Sequence, residues 1–104
     1  MGIEWSQHSA DEARDREAKA MEELDVLVWE EGAILSIDKV RDIVNRNHVS
    51  VGRLKSEAKD READQIRKSR FFSRNGVGDM ERFHDHKASR YNLLAFYLGI
   101  IYNV

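Results

Sequence analysis

Not one of the 104 residues is proline, and only six are glycine. Proline is the sharpest local stop to a helix, because its ring removes an amide donor and clashes with the preceding turn. A chain that lacks it, and has little glycine, is free to run in long helices with short connections. The first expectation is therefore an all-α fold, a small bundle of about four or five helices. At this length the chain forms a single domain with a modest core.

Hydrophobic spacing then sorts the chain. Residues 1–8 read as a flexible tail, and 9–104 as one helical domain. Ser9-Ala10-Asp11-Glu12 has the form of a capping box, in which Ser9 caps the amide of Glu12 while Glu12 reaches back. A helix is expected from there to about Glu31, polar at first and then apolar at Met21, Leu24, Leu27, Val28 and Trp29. Gly32 is its natural stop. Ala33-Ile34-Leu35 reads as an extended link or a small strand. A helix starting at Val51 is expected to reach about Lys68; past Leu54 only Ala58, Ala63 and Ile66 are apolar, so it projects or packs along a thin stripe. Asn75-Gly76 carries a hairpin signal, so a short hairpin near 71–78 stands beside a simple approach to the next helix. The last helix is expected over 79–102, with Asp79 as N-cap. Met80, Phe83, Lys87, Tyr91, Leu94, Leu98 and Ile101 follow three-and-four spacing, and from Tyr91 onward the pattern is apolar nearly all round.

Between these helices lies 36–58, where two short helical patterns meet across a few residues. Ser36 is an N-cap, and Asp38 sits in the first turn where the helix dipole favours an anion. Ile37, Val40, Ile43 and Val44 share one face. Asn45 is a residue type that tolerates a left-handed stop. Ser50 offers a second N-cap before Val51, Leu54 and Ala58. Val40, Val44, Asn45, Val51 and Leu54 stand at the spacing of a helix-turn-helix, which this stretch resembles. Two positions depart from that pattern: Arg41 stands where a small residue is usual, and Asn45 where glycine is usual. The layout G-x-x-x-S-x-x-x-V-R-x-x-V from Gly32 to Val44 is similar to KfrA-type plasmid regulators. The resemblance implies a second helix that enters the major groove.

The net charge of −2 is unevenly spread. Residues 1–35 carry ten acids and three bases, residues 36–70 six acids and ten bases, and the remainder is +1. A +4 stretch over the helix-turn-helix is what an electrostatic footprint on DNA requires. The reading that follows is a sequence-specific protein for double-stranded DNA, a small transcriptional, plasmid or phage regulator acting by occupancy of an operator. Asn47, His48 and Arg53, with Ser56 one turn on, would face base edges, Arg53 toward guanine and Asn47 toward adenine. Arg46, Lys55 and Lys59 would hold phosphates. The surplus apolar surface of the last helix would be covered by a second copy, in a homodimer whose interface includes Tyr97, Ile100 and Ile101. The alternative is a small protein-binding inhibitor or adaptor, such as a phage-encoded antagonist of a host defence complex, with an acidic first helix and an apolar last one suited to a groove.

No motif for catalysis, a metal or a cofactor emerges. His84 and His86 lie two apart, which on a helix points them away from each other. There is no cysteine, and the longest apolar run, Leu93 to Tyr102, is shorter than the roughly 20 residues that span a bilayer. A cytoplasmic protein that is no enzyme is the expectation.

Overall fold

The computed structural model describes residues 2–30 and 34–104, with side chains from residue 11 onward. Among them are four helices and no strand: α1 (Gly2–Trp29), α2 (Ile37–Asn47), α3 (Val51–Arg74) and α4 (Gly78–Tyr102). The all-α expectation holds. The hairpin near 71–78 does not form, because α3 runs through Phe71 and Phe72 to Arg74, and Asn75-Gly76 instead makes the corner into α4. Gly76 there has a left-handed φ of 72°, which costs a residue without Cβ nothing. Helix α1 starts at Gly2, so residues 2–8 are helical where a tail was expected, and Ser9 lies inside the helix and not at its start. Gly32 and Ala33 lie outside the described residues; Ile34 is exposed and Leu35 is buried in the core.

The core forms where α1, α2 and the proximal halves of α3 and α4 meet. Met21, Leu24 and Val28 of α1 pack with Val40, Ile43 and Val44 of α2, Leu54 and Ala58 of α3, and Tyr91, Leu94, Ala95 and Leu98 of α4. Helices α3 and α4 form the most extensive packing and run antiparallel: Gln65 meets His84, Ser69 meets Asp85, and Lys55 meets Val104. At 1.5 Å per residue each is about 36 Å long, well short of the 58 Å longest extent of the molecule, which measures 58 × 29 × 21 Å. Past Ala58 the α3 seam turns polar. Its buried residues there are Gln65 and Ser69, so hydrogen bonds hold the distal half of the hairpin where the apolar stripe gives out.

Two polar devices dock α1. Arg90, buried on α4, donates from Nε to the carbonyl of Val28 (2.5 Å) and from Nη2 to that of Leu27 (2.7 Å). These are among the carbonyls a helix end leaves unpaired, and a cation there also complements the dipole. Tyr91 donates its hydroxyl to Asp25 (2.7 Å) and accepts from the Trp29 indole (2.9 Å). Burial, and then the bond to Asp25, pushes the Tyr91 hydroxyl up to about 12.

Candidate nucleic-acid interface

Helix α2 begins as expected: Ser36 Oγ accepts from the Lys39 amide (3.3 Å) and Asp38 lies in the first turn. Its end differs. The helix continues past Asn45 to Asn47, and His48 takes the left-handed conformation (φ 50°, ψ 55°), its amide bonding the Val44 carbonyl. That single bond back to the fourth preceding residue is the αL cap. Histidine, like asparagine, visits this region more readily than most residues. The extra turn is held by Arg46 bonding Asp42 (2.8 Å) and by Asn47 bonding the Ile43 carbonyl (2.8 Å). Three residues, His48, Val49 and Ser50, therefore join α2 to α3, the connection length of a helix-turn-helix. Ser50 stands at the N-cap position of α3, although its side chain makes no capping bond.

The expected contact residues fall into three groups. Arg46, His48, Arg53 and Ser56 are exposed around the turn and the first turns of α3. Lys55 and Lys59 face the other way, toward α4, beside Asn92, Phe96 and Ile100. Lys55 donates to the Val104 carbonyl (2.9 Å), and Lys59 lies 3.4 Å from Glu62. Asn47 leaves the set. It is only 7% exposed, and its amide also donates to Glu23 of α1 (2.7 Å). An asparagine whose amide is committed on both sides is unable to reach a base, so the assignment to adenine is corrected to a packing role. The Asn47 amide, with Arg46 acting alongside, also holds the Glu23 carboxyl below its ordinary range against the effect of burial.

What sequence spacing could not show is how closely α1 attends this face. Glu23 pairs with Arg46 (3.4 Å), Glu17 with Arg53 (3.4 Å) and Asp25 with Arg61 (3.5 Å). A groove between α1 and α3 is lined by Arg14, Glu17 and Met21 on one side and by Arg53, Ser56 and Arg61 on the other. The acids of α1 therefore neutralise part of the +4 stretch from across the molecule. These pairs are exposed or half-exposed, and such pairs hold by about 0–1 kcal/mol each.

A second feature escaped notice because α3 was expected to stop near Lys68. Steps of three and four from Gly52 pass through Ser56, Lys59, Ala63, Arg67, Arg70 and Arg74, all exposed and none acidic. This is one helical face, and it carries four cations. The corresponding outward line on α4, through Asp79, Arg82, Ser89 and Phe96, is mixed and then apolar.

On α4 the expected dimer residues divide as well. Tyr97 and Ile101 are partly buried against the core of their own chain, whereas Ile100 is 57% exposed. The outward patch is Phe96 and Ile100, one turn apart on α4, with the exposed Val104 beside them just past the helix end. Of the two histidines, His84 is buried against Gln65 and His86 is exposed. Among the described residues no helix is long and apolar enough to cross a membrane. Set against family models, curated proteins and solved structures, the chain finds no match.

Proposed function

We propose that the chain binds double-stranded DNA through α2 and α3 and acts as a small regulator by occupying its site, not by catalysis. The observation that supports this best is the corner itself. A three-residue turn with a left-handed cap holds Val40, Val44 and Leu54 in the core while Arg46, His48, Arg53 and Ser56 are exposed around the turn and the first turns of α3, Arg46 and Arg53 in exposed ion pairs. On this reading the first turns of α3 enter the major groove, Arg53 reads guanine, Ser56 lies one turn further along the groove, and Arg46 takes a phosphate, while Lys55 and Lys59, turned toward α4, leave the contact set. Gly52 presents no Cβ on the outward face, so the backbone can lie near the groove floor. Arg53 and Arg46 must exchange Glu17 and Glu23 for DNA. That exchange is inexpensive for exposed ion pairs and is favoured by counterion release from the duplex.

A second copy belongs to the same reading. The exposed Phe96 and Ile100 lie along one side of α4, with Val104 just past its end, and pairing that patch with its symmetry mate would give two recognition helices for half-sites about 34 Å apart. The test is a titration of labelled duplex DNA with the protein across a range of salt. Each neutralised phosphate contributes about 0.9 to the slope of log affinity against log salt, so several contacts produce a steep loss. The absence of binding at low salt refutes the proposal.

A further inference from the structure

The distal end of the hairpin, one α3 length from the turn, carries a feature that the reading above does not use. Five rings touch in sequence across three helices. Trp29 lies 5.7 Å from Phe83, Phe83 5.1 Å from His84, His84 5.5 Å from Phe72, and Phe72 5.3 Å from Phe71. Core rings are buried, but Phe71 is 56% exposed, and Phe83 and Trp29 are each more than a third exposed. An open cavity of about 490 Å³ beside them is lined by Arg67, Lys68, Phe71, Phe72 and His84. From Arg67 to Lys87 the chain carries six cations (Arg67, Lys68, Arg70, Arg74, Arg82, Lys87) against three carboxylates (Asp79, Glu81, Asp85). Asp79 pairs with Arg82, and Asp85 accepts from Ser69 (2.5 Å). Arg70 and Arg74 have no carboxylate partner among the described residues, and Arg67 and Lys68 share only the exposed Asp64.

We propose that this end of the hairpin binds single-stranded nucleic acid, with bases stacked on Phe71 and its neighbouring rings and phosphates held along Arg67, Arg70 and Arg74. The row of cations supports a periodic polyanion: the three arginines lie on one face, separated by three and four residues, with Phe71 beside the row and Lys68 beyond it. Ring faces next to a cationic track are how proteins hold unpaired strands without reading their sequence. A duplex keeps its bases stacked inside and offers nothing to Phe71. An acidic peptide would need enclosure for its apolar anchors, and the cavity here is open on one side and bordered by Arg67 and Lys68. An anionic membrane would have to accommodate Asp79 and Glu81, which stand among Val77, Met80 and Phe83 in the first turn of α4.

The experiment is fluorescence anisotropy of the full chain with a labelled oligothymidylate of about twelve nucleotides, within the usual site size of such proteins. An abasic strand with the same phosphates, a random duplex, phosphatidylserine vesicles and a Glu/Leu peptide serve as comparisons. The oligothymidylate is expected to bind, and Phe71→Ala to weaken it roughly 5- to 150-fold, the range for loss of one stacked base. The abasic strand should bind correspondingly less well and be indifferent to Phe71→Ala. Replacing Arg67, Arg70 and Arg74 by alanine should lower the salt slope by about 2, at about 0.7 per single-strand phosphate. Arg53→Ala, at the other end, should leave oligothymidylate binding unchanged. All five substituted side chains are exposed, and circular dichroism verifies that each variant remains helical. Equal binding of the abasic strand, indifference of the oligothymidylate to Phe71→Ala, or binding confined to duplex, peptide or vesicles overturns the proposal.

Discussion

Leu54→Ala tests the packing of the α2–α3 pair on which the proposed helix-turn-helix rests. Leu54 is 1% exposed in the core cluster, three residues into α3 and close to the turn. Truncation removes three carbons, worth about 2.4 kcal/mol at roughly 0.8 per methylene. To this is added a cavity term that depends on how far the surroundings relax. Leu54 lines the groove between α1 and α3 together with Met21, so the vacated space opens toward solvent and Met21 has room to move. The cavity term should be small and the total about 2.5–3.5 kcal/mol, in the lower part of the range for a buried leucine. Leu94, also fully buried, lines neither the groove between α1 and α3 nor the open cavity beside Phe71. Its truncation should leave a closed void and cost about 4–5 kcal/mol. Urea unfolding followed at 222 nm measures both, and a 3 kcal/mol loss corresponds to a fall in Tm of roughly 12–24 °C for a domain near this size. A Leu54→Ala cost below about 1 kcal/mol would show the side chain exposed and the helix pair packed otherwise. Equal costs for the two variants would refute the relaxation argument alone.

Three further outcomes follow from the geometry. Tyr91 has its folded pKa raised, so its contribution is fully present below the unfolded value near 10 and is lost as pH rises toward 12; over that window wild-type stability should fall by about 1.4 kcal/mol per pH unit relative to Tyr91→Phe, and parallel alkaline profiles would remove the buried hydroxyl. Glu17→Gln frees Arg53 of its partner and takes a negative charge from beside the α3 face, so duplex affinity at low salt should rise a few-fold, and a fall would mean that Glu17 positions Arg53. Ile100→Asp places a charge in the centre of the exposed α4 patch and should leave a folded monomer, while a wild type that sediments as a monomer at micromolar concentration removes the dimer.

The core was legible because it follows helical period. Met21, Leu24, Val28, Val40, Val44, Leu54, Leu94 and Leu98 were identifiable from spacing and are all buried. Helix ends were harder, since local signals are degenerate. Asn45 and His48 both tolerate a left-handed stop, and the choice went to His48 because Asn47 found Glu23, twenty-four positions away. The same long-range bond makes Asn47 structural, although an asparagine at a helical corner has the chemistry of a base reader. Arg90 is a similar case: on α4 it looks like one more surface cation, and only the end of α1, sixty-two positions earlier, gives it buried partners. The distal basic row was in principle readable. Continuing the period from Gly52 reaches Arg74 without meeting an acid, but Phe71, Phe72 and Asn75-Gly76 carry competing turn and strand signals that local propensity alone does not resolve.

On the two proposals above, the two ends of α3 take different ligands, and the charge layout is consistent with that division. At the proximal end Arg46 and Arg53 each stand against a carboxylate of α1, so a ligand there must displace Glu23 and Glu17. Uniform attraction to any polyanion is reduced, and a partner that also satisfies hydrogen bonds in fixed positions gains relative to one that supplies charge alone. A duplex read at base edges has that property. At the distal end Arg70 and Arg74 stand without such competition, beside an exposed ring. Charge there acts at full strength within a Debye length, and stacking tolerates every base. Selectivity is therefore favoured at the turn, and affinity without selectivity at the tip. About 33 Å of continuous helix from Gly52 to Arg74 keeps the two apart, more than three Debye lengths at physiological salt. Substitutions at one end should leave binding at the other unchanged.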